Sequence, residues 1–302
     1  MSNMSVELCG VKLKNPLVAA SGTFGFGREY NELYDIGVWG GVSVKGLTNE
    51  PRPGNPPHRM AETASGILNS VGLQNPGVDA FIRDELPLLA KRGVAVIANV
   101  AGATEESYRE AARKLSDSAV DIIELNISCP NVKQGGVQFG IYPGNAAALT
   151  EAVRPVCGKP LMVKLSPNVS DIAAIARAVA EAGADAVSLI NTITGMAVDA
   201  KARRPLLANV TGGLSGPAIK PVALRMVWQA ANAVTVPVVG MGGITTGEDA
   251  AEFLIAGAAA VMIGTANMTD PFAGPRILRE LEDFIEEQGV ADVNELVGSL
   301  SL

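Results

Sequence analysis

Eight short apolar runs, separated by stretches that mostly carry helical spacing, set the main limit on how this chain can fold. The runs are 17–20 "LVAA", 41–45 "GVSVK", 94–99 "VAVIAN", 121–126 "DIIELN", 161–165 "LMVKL", 186–190 "AVSLI", 236–240 "VPVVG" and 260–264 "AVMIG". They are apolar throughout rather than alternating, as expected of strands covered on both faces. Helical patterns such as "TEESYREAARKLSD" (104–117) and "SDIAAIARAVAEAGA" (170–184) lie between them. Ser170 and Asp171 offer N-cap chemistry for the second helix, and Gly183 a C-cap. The phrases "AGADAVSLI" and "AGAAAVMIG" give a weak internal echo between the sixth and eighth runs.

Eight β-like runs in βα order predict an α/β fold, a (β/α)8 barrel. The alternative, an open doubly wound sheet, lacks support: no GxGxxG follows any run and no GxxxxGK[ST] occurs. At 302 residues the chain is long for one domain, but barrels reach this size, so 1–302 is expected to form a single unit. Apolar residues make up 48% and aromatics only 4%, so Ala, Val, Ile and Leu must fill the core.

Other classes recede on composition. Lys and Arg number 24 against 31 acids, a net charge of −7, whereas a broad nucleic-acid footprint needs a basic excess. No stretch approaches about 18 uninterrupted apolar residues, and the N-terminus lacks a basic start and apolar core, so neither a membrane span nor a signal peptide is expected. Three cysteines, Cys9, Cys129 and Cys157, with no CxxC pair, suggest neither a disulfide framework nor a cysteine-ligated cluster, and a cytoplasmic setting fits. No His-x-His, HExxH or carboxylate cluster points to a metal, and no GxSxG precedes a helix. The sole histidine, His58, falls in "PGNPPHRM" and reads as a loop or interface residue.

The C-terminal ends of the runs carry the chemistry. They offer Ser21, Lys45, Asn99, Asn126, Lys164 and Asn191-Thr192, and a cation at the end of an apolar strand needs a partner or an anionic ligand. Strand-end polarity alone accounts for two or three such positions, not for nearly all of them. Two segments, 46–75 and 129–145, exceed plain connections and fall on this same side, where barrels build their sites. "GMGGI" (240–244) and "GTA" (264–266) follow the seventh and eighth runs, a common barrel address for phosphate. Cys9 and Cys157 read as inert buried thiols, the usual fate of free cysteine. Cys129, beside Asn126, Ser128 and Asn131 with Lys133 close by, is open to two readings, a packed thiol or a base or nucleophile at the mouth.

Taken together, "NPLVAASGTFGFGREY", "GGVSVKGLT", "ILNSVGLQNPG", "ELNISCPNVKQGG", "VKLSPN", "LINT", "GGLSGPAIKP", "VPVVGMGGI" and "VMIGTA" resemble the dihydroorotate dehydrogenases, and within them the class 1B catalytic subunits. The resemblance spans nearly the whole chain. It implies FMN at the barrel mouth, with phosphate on Gly242, Gly243, Gly264 and Thr265 and Gly216 alongside. Ser21, Lys45, Gly46, Asn99, Asn126, Lys164 and Ile190 would line the flavin. Lys45, Asn69, Ser70, Val71, Gly72, Leu73, Asn126, Asn191 and Thr192 would contact dihydroorotate or orotate, and Cys129 would be the catalytic base. Class 2 enzymes place serine at that position; here it is cysteine, which favours class 1. Ser70 stands where alanine is common. The resemblance also implies a homodimeric core bound to two electron-transfer subunits, a heterotetramer, with FAD and a [2Fe-2S] cluster on the partner and NAD as final acceptor. A fumarate-using class 1A enzyme, a dihydropyrimidine dehydrogenase-like reductase, a tRNA dihydrouridine synthase-like flavoprotein and a catalytically silent scaffold are the alternatives.

Overall fold

The structure, a computed structural model, describes residues 2–128 and 137–302, so Cys129 and most of the loop that follows lie outside the described residues. All eight apolar runs form strands, labelled here β1 (Leu17–Ala19), β2 (Gly41–Ser43), β3 (Ala95–Val100), β4 (Ile122–Asn126), β5 (Leu161–Lys164), β6 (Ala186–Leu189), β7 (Val238–Met241) and β8 (Ala260–Ile263). They pair in parallel in the order β1 to β8, and β8 pairs back onto β1, closing the predicted barrel. Every residue in these strands is buried, which explains why the runs are unbroken by alternation.

The outer helices follow from spacing and caps. In Glu105–Ser116 the buried residues are Tyr108, Ala111, Ala112 and Leu115; in Ile172–Glu181 they are Ile172, Ile175, Ala176 and Val179. Both sets follow i, i+3, i+4, i+7, one face of a 3.6-residue helix. Thr104 caps the first by accepting from Ser107 N at 3.2 Å, and Asp171 caps the second by accepting from Ala174 N at 3.0 Å. Gly183, with φ +98°, takes the left-handed turn that ends the second.

One feature of the fold does not follow from the eight-run pattern. Met60–Thr63, Gly66–Asn69, Thr211–Ser215 and Ile193–Met196 form a four-stranded antiparallel sheet outside the barrel. Its inner strands come from the loop after β2 and the excursion after β6, and Asn69 pairs with Gly213. The long 46–75 segment is therefore an ordered wall.

Below β2 the packing depends on one missing side chain. Trp39 is 1% exposed, its ring edge-on to Phe24 and its indole N–H donating to Tyr34 Oη at 3.1 Å. Its ring packs against Gly274 of the helix Ala273–Glu287, where an added Cβ would stand 2.0 Å from Trp39 Cζ2. Gly274→Ala is therefore expected to destabilise the fold by about 1–3 kcal/mol through overpacking, read as a lowered urea midpoint; an unchanged midpoint would show that the indole shifts freely.

Candidate functional site

Closing a parallel ring brings the C-terminal end of every strand to one rim. A cavity opens there, with about 1300 Å³ of empty space that includes the open solvent at its mouth.

Most of the predicted residues meet in this cavity. Ser21 (after β1), Lys45 and Gly46 (after β2), Asn126 (end of β4) and Lys164 (end of β5) line it, as do Ile190, Asn191 and Thr192 after β6. Gly216, Gly242, Gly243, Gly264 and Thr265 line another part, and Asn69, Val71, Gly72 and Leu73 come in from the outer sheet and its continuation. Two expected residues do not reach the cavity. Ser70 is 1% exposed because strand alternation turns it away from the face that carries Asn69. Asn99 is fully buried one layer down, where its amide donates to Glu124 at 2.5 Å and accepts from Asn126 at 3.1 Å. Sequence reading missed several lining residues, among them Thr23, Met60, Ile67, Ser215, Thr245 and Met268. Met60, Ile67 and Ser215 belong to the outer sheet, and only its pairing brings them to the mouth.

Two features give the cavity its chemical character. Lys164 is 4% exposed and makes no ion pair or hydrogen bond among the described residues. A buried ammonium without a partner is costly, so a ligand with negative or electron-rich atoms is what this wall calls for. On the other side, Gly242 and Gly243 carry φ of +131° and +78°, and a Cβ on Gly243 would press to 2.9 Å on Gly216 O and Lys220 N. The wall there must be bare backbone, which lets N–H groups approach an oxyanion closely.

The glycine turn is held from behind. Asp249 accepts from Thr245 N at 2.8 Å, Thr245 Oγ1 at 2.8 Å and Thr246 N at 3.0 Å. Lys220 donates to Asp249 at 2.5 Å and to Glu252 at 2.9 Å. Burial opposes ionisation of Asp249, but the bonds from Lys220 and Thr245 outweigh it and hold the carboxyl below its ordinary range. Burial, with Asp185 adding to it, pushes the Cys9 thiol up to about 12, and burial raises Cys157 as well. Both thiols are protonated and inert at neutral pH. Among the described residues, no group of three or more His, Cys, Asp or Glu is placed to hold a metal, and no helix is long and apolar enough to cross a membrane.

The comparisons agree with this geometry. The family model for dihydroorotate dehydrogenase matches residues 3–285. A protein of Alkaliphilus oremlandii named dihydroorotate dehydrogenase B (NAD(+)), catalytic subunit, is 56% identical over 99% of both chains. A protein of the same name from Geobacillus kaustophilus is 52% identical over 99% of this chain and 96% of its own. Among solved structures, DHODH from Eimeria tenella in complex with ferulenol superposes with a TM-score of 0.83 at 22% identity, covering 98% of this chain and 88% of that one, a likeness of fold.

Two outcomes follow from these contacts. Asp249 has a lowered carboxyl, so its contribution to stability is complete above the unfolded value of about 3.9 and is lost as pH falls through the folded value. The difference in unfolding free energy between wild type and Asp249→Asn should be flat above about pH 5 and shrink below about pH 4; a difference that grows on acidification would contradict the assignment. Lys164→Met removes the partnerless ammonium, so the ligand-free protein should melt at the same temperature or higher, whereas a marked fall would reveal a structural bond for that amine.

Proposed function

Because the chain belongs to the dihydroorotate dehydrogenase family of oxidoreductases, we propose that it oxidises dihydroorotate to orotate in pyrimidine biosynthesis, with FMN in the barrel-mouth cavity and NAD as final acceptor through a second subunit. The observation that carries this reading is Lys164, a buried lysine on the cavity wall that has no protein partner among the described residues. The residues present fit FMN. Gly242, Gly243, Gly264 and Thr265, with Gly216 beside them, would hold its phosphate, and Ser21, Lys45, Gly46, Asn126, Lys164 and Ile190 would line its ring. Lys164 supplies the positive charge that a reduced ring favours.

When bound, FMN supplies the acceptor for the hydride that leaves C6 of dihydroorotate. The other half of the chemistry falls to the chain itself. Lys45 balances the substrate carboxylate. Asn69, Asn126 and Asn191 each offer a donor and an acceptor, matching the ring amides in both senses. A base must take the C5 proton as the C5=C6 bond forms. Cys129 directly follows Ser128, which is buried and bonded to Asn126 and Asn191 at the cavity. Its thiolate takes the proton, and a reference pKa of about 8.5 leaves a few per cent of it ionised at pH 7 unless the site lowers it.

Electrons reach NAD through a partner, since this sequence carries neither a Rossmann fingerprint nor cluster cysteines. The relatives' name, catalytic subunit of an NAD(+) enzyme, supports that division. The partner holds FAD and a [2Fe-2S] cluster, and two copies of it flank a homodimer of this chain. Exposed Met196, Val198, Leu206 and Val210, all on the excursion after β6, supply apolar surface for subunit contact.

Anaerobic mixing of the FMN-loaded protein with dihydroorotate should bleach the flavin band; a persistent band would sink the reading. NAD should then reoxidise the flavin only with the partner present, and fumarate should not substitute. Cys129→Ala should keep FMN but slow bleaching by roughly 10²–10⁴-fold, the usual worth of a general base, and an undiminished rate would remove Cys129 from the mechanism.

A further inference from the structure

A charged residue lies inside one of the apolar runs. Glu124 sits mid-strand in β4 and is fully buried. Carboxylates are rarely buried unless bonded. This one accepts three hydrogen bonds, all from neutral donors: Ser43 Oγ of β2 at 2.9 Å and Asn99 Nδ2 of β3 at 2.5 Å on one oxygen, and Ser188 Oγ of β6 at 2.6 Å on the other. Three other strands are thus tied to one carboxyl group inside the barrel, below the cavity.

The bond to Asn99 begins a chain that ends in the cavity. Asn99 Oδ1 accepts from Asn126 Nδ2 at 3.1 Å. Asn126 Oδ1 accepts from Ser128 Oγ at 3.1 Å, and Ser128 Oγ accepts from Asn191 Nδ2 at 2.8 Å. Every donor in the series points toward Glu124. An asparagine amide is nearly symmetric in shape, so its shape alone does not decide which end faces where. The Glu124 oxygen decides it here, by accepting from Asn99 Nδ2. Above, backbone N–H groups of Ser128 (3.3 Å) and Thr192 (2.9 Å) bond Asn126 and Asn191 in the same sense. Of these anchors the one at the base is the shortest, 2.5 Å from Asn99 Nδ2 to Glu124.

We propose that Glu124 is a positioning residue whose carboxyl oxygen, by accepting from Asn99, fixes the amide sense of Asn99 and, through it, of Asn126. The cavity wall then shows one donor–acceptor pattern to its ligand and selects a planar ring with carbonyl and N–H groups in matching order. This rests on the reading that the cavity takes orotate and dihydroorotate over FMN.

The test uses the FMN-loaded protein, with orotate titrated against the flavin absorption band, FMN affinity measured by quenching of its fluorescence, and melting temperature followed alongside. Glu124→Leu removes the acceptor at similar volume, and orotate affinity should fall at least about 10-fold, the loss expected for an unpaired buried amide. Glu124→Gln keeps one oxygen for Asn99 and Ser43 and turns its NH₂ to Ser188, whose hydroxyl accepts; its affinity should stay within about threefold of wild type. Ser188→Ala breaks a bond to the same carboxylate on the side away from the relay, so it should lower the melting temperature yet leave orotate affinity within about threefold. If Glu124→Leu does not fold, Asn99→Ala cuts the chain one link higher and should show the same loss. Wild-type affinity in the leucine variant, or in Asn99→Ala, overturns the proposal. So does a loss in the glutamine variant equal to that in leucine, which would assign the effect to charge, and so does an equal loss in Ser188→Ala, which would make it general destabilisation. Wild-type protein that binds FMN but not orotate would overturn the reading of the cavity itself, and the relay's purpose with it.

Discussion

The pairing of β8 with β1 is the constraint on which the site depends. Val261, Met262 and Ile263 align with Leu17, Val18 and Ala19, and Ala20 N continues the ladder to Ile263 O at 2.8 Å. Once the ring is shut, all eight parallel strands must end on the same rim. Side chains from opposite ends of the sequence, Ser21 and Thr265 among them, then share one cavity wall. An open sheet of the same strands would leave two edges and spread those residues along a line. Closure also gives the barrel a dry interior, where a single charge has large effects.

Two ionisable side chains in that interior divide the work. Glu124 on β4 is surrounded by donors and is complete without any ligand. Lys164 on the neighbouring β5 has no such partner among the described residues and faces the cavity. One buried side chain thus serves the framework and the other is left for whatever binds. Proximity in the fold does not separate them, since Asn126, two residues beyond Glu124, stands directly beside Lys164 in the strand register. What separates them is whether their bonds are already filled.

Much of this was legible in the sequence. Continuous apolar runs gave all eight strands, because strands buried on both faces have no reason to alternate. Strand-end polarity gave the cavity residues for the same topological reason. The outer sheet was hidden. Gly66–Asn69 and Thr211–Ser215 are short and glycine-bearing, and the four-stranded sheet exists only through their long-range pairing with each other. Glu124 was hidden differently. It lies in "DIIELN", where the apolar neighbours dominate the pattern, although a lone acid at an inward strand position is itself a sign of a buried network. Asn99 was recognised as polar and rim-directed, but its depth depends on Glu124 and so could not be read before it. Cys9 and Cys157 read as inert buried thiols on the usual fate of free cysteine; Cys157 is buried, Cys9 only half-buried, and burial raises both.

The outer sheet has a consequence for how the molecule is made. Asn69 and Gly213, which it joins, are 144 residues apart. A ribosome adding about 5–20 residues per second needs roughly 7–30 s to travel between them. Throughout that interval the hairpin of Met60–Thr63 and Gly66–Asn69 is a two-stranded ribbon with a bare edge, marginal by itself. Nascent chains therefore emerge with one wall of their future pocket unsupported, and the wall is completed only after β6 has left the exit tunnel. Crowded polysomes, where such edges from neighbouring chains can find one another, are where this architecture is most exposed to misassembly.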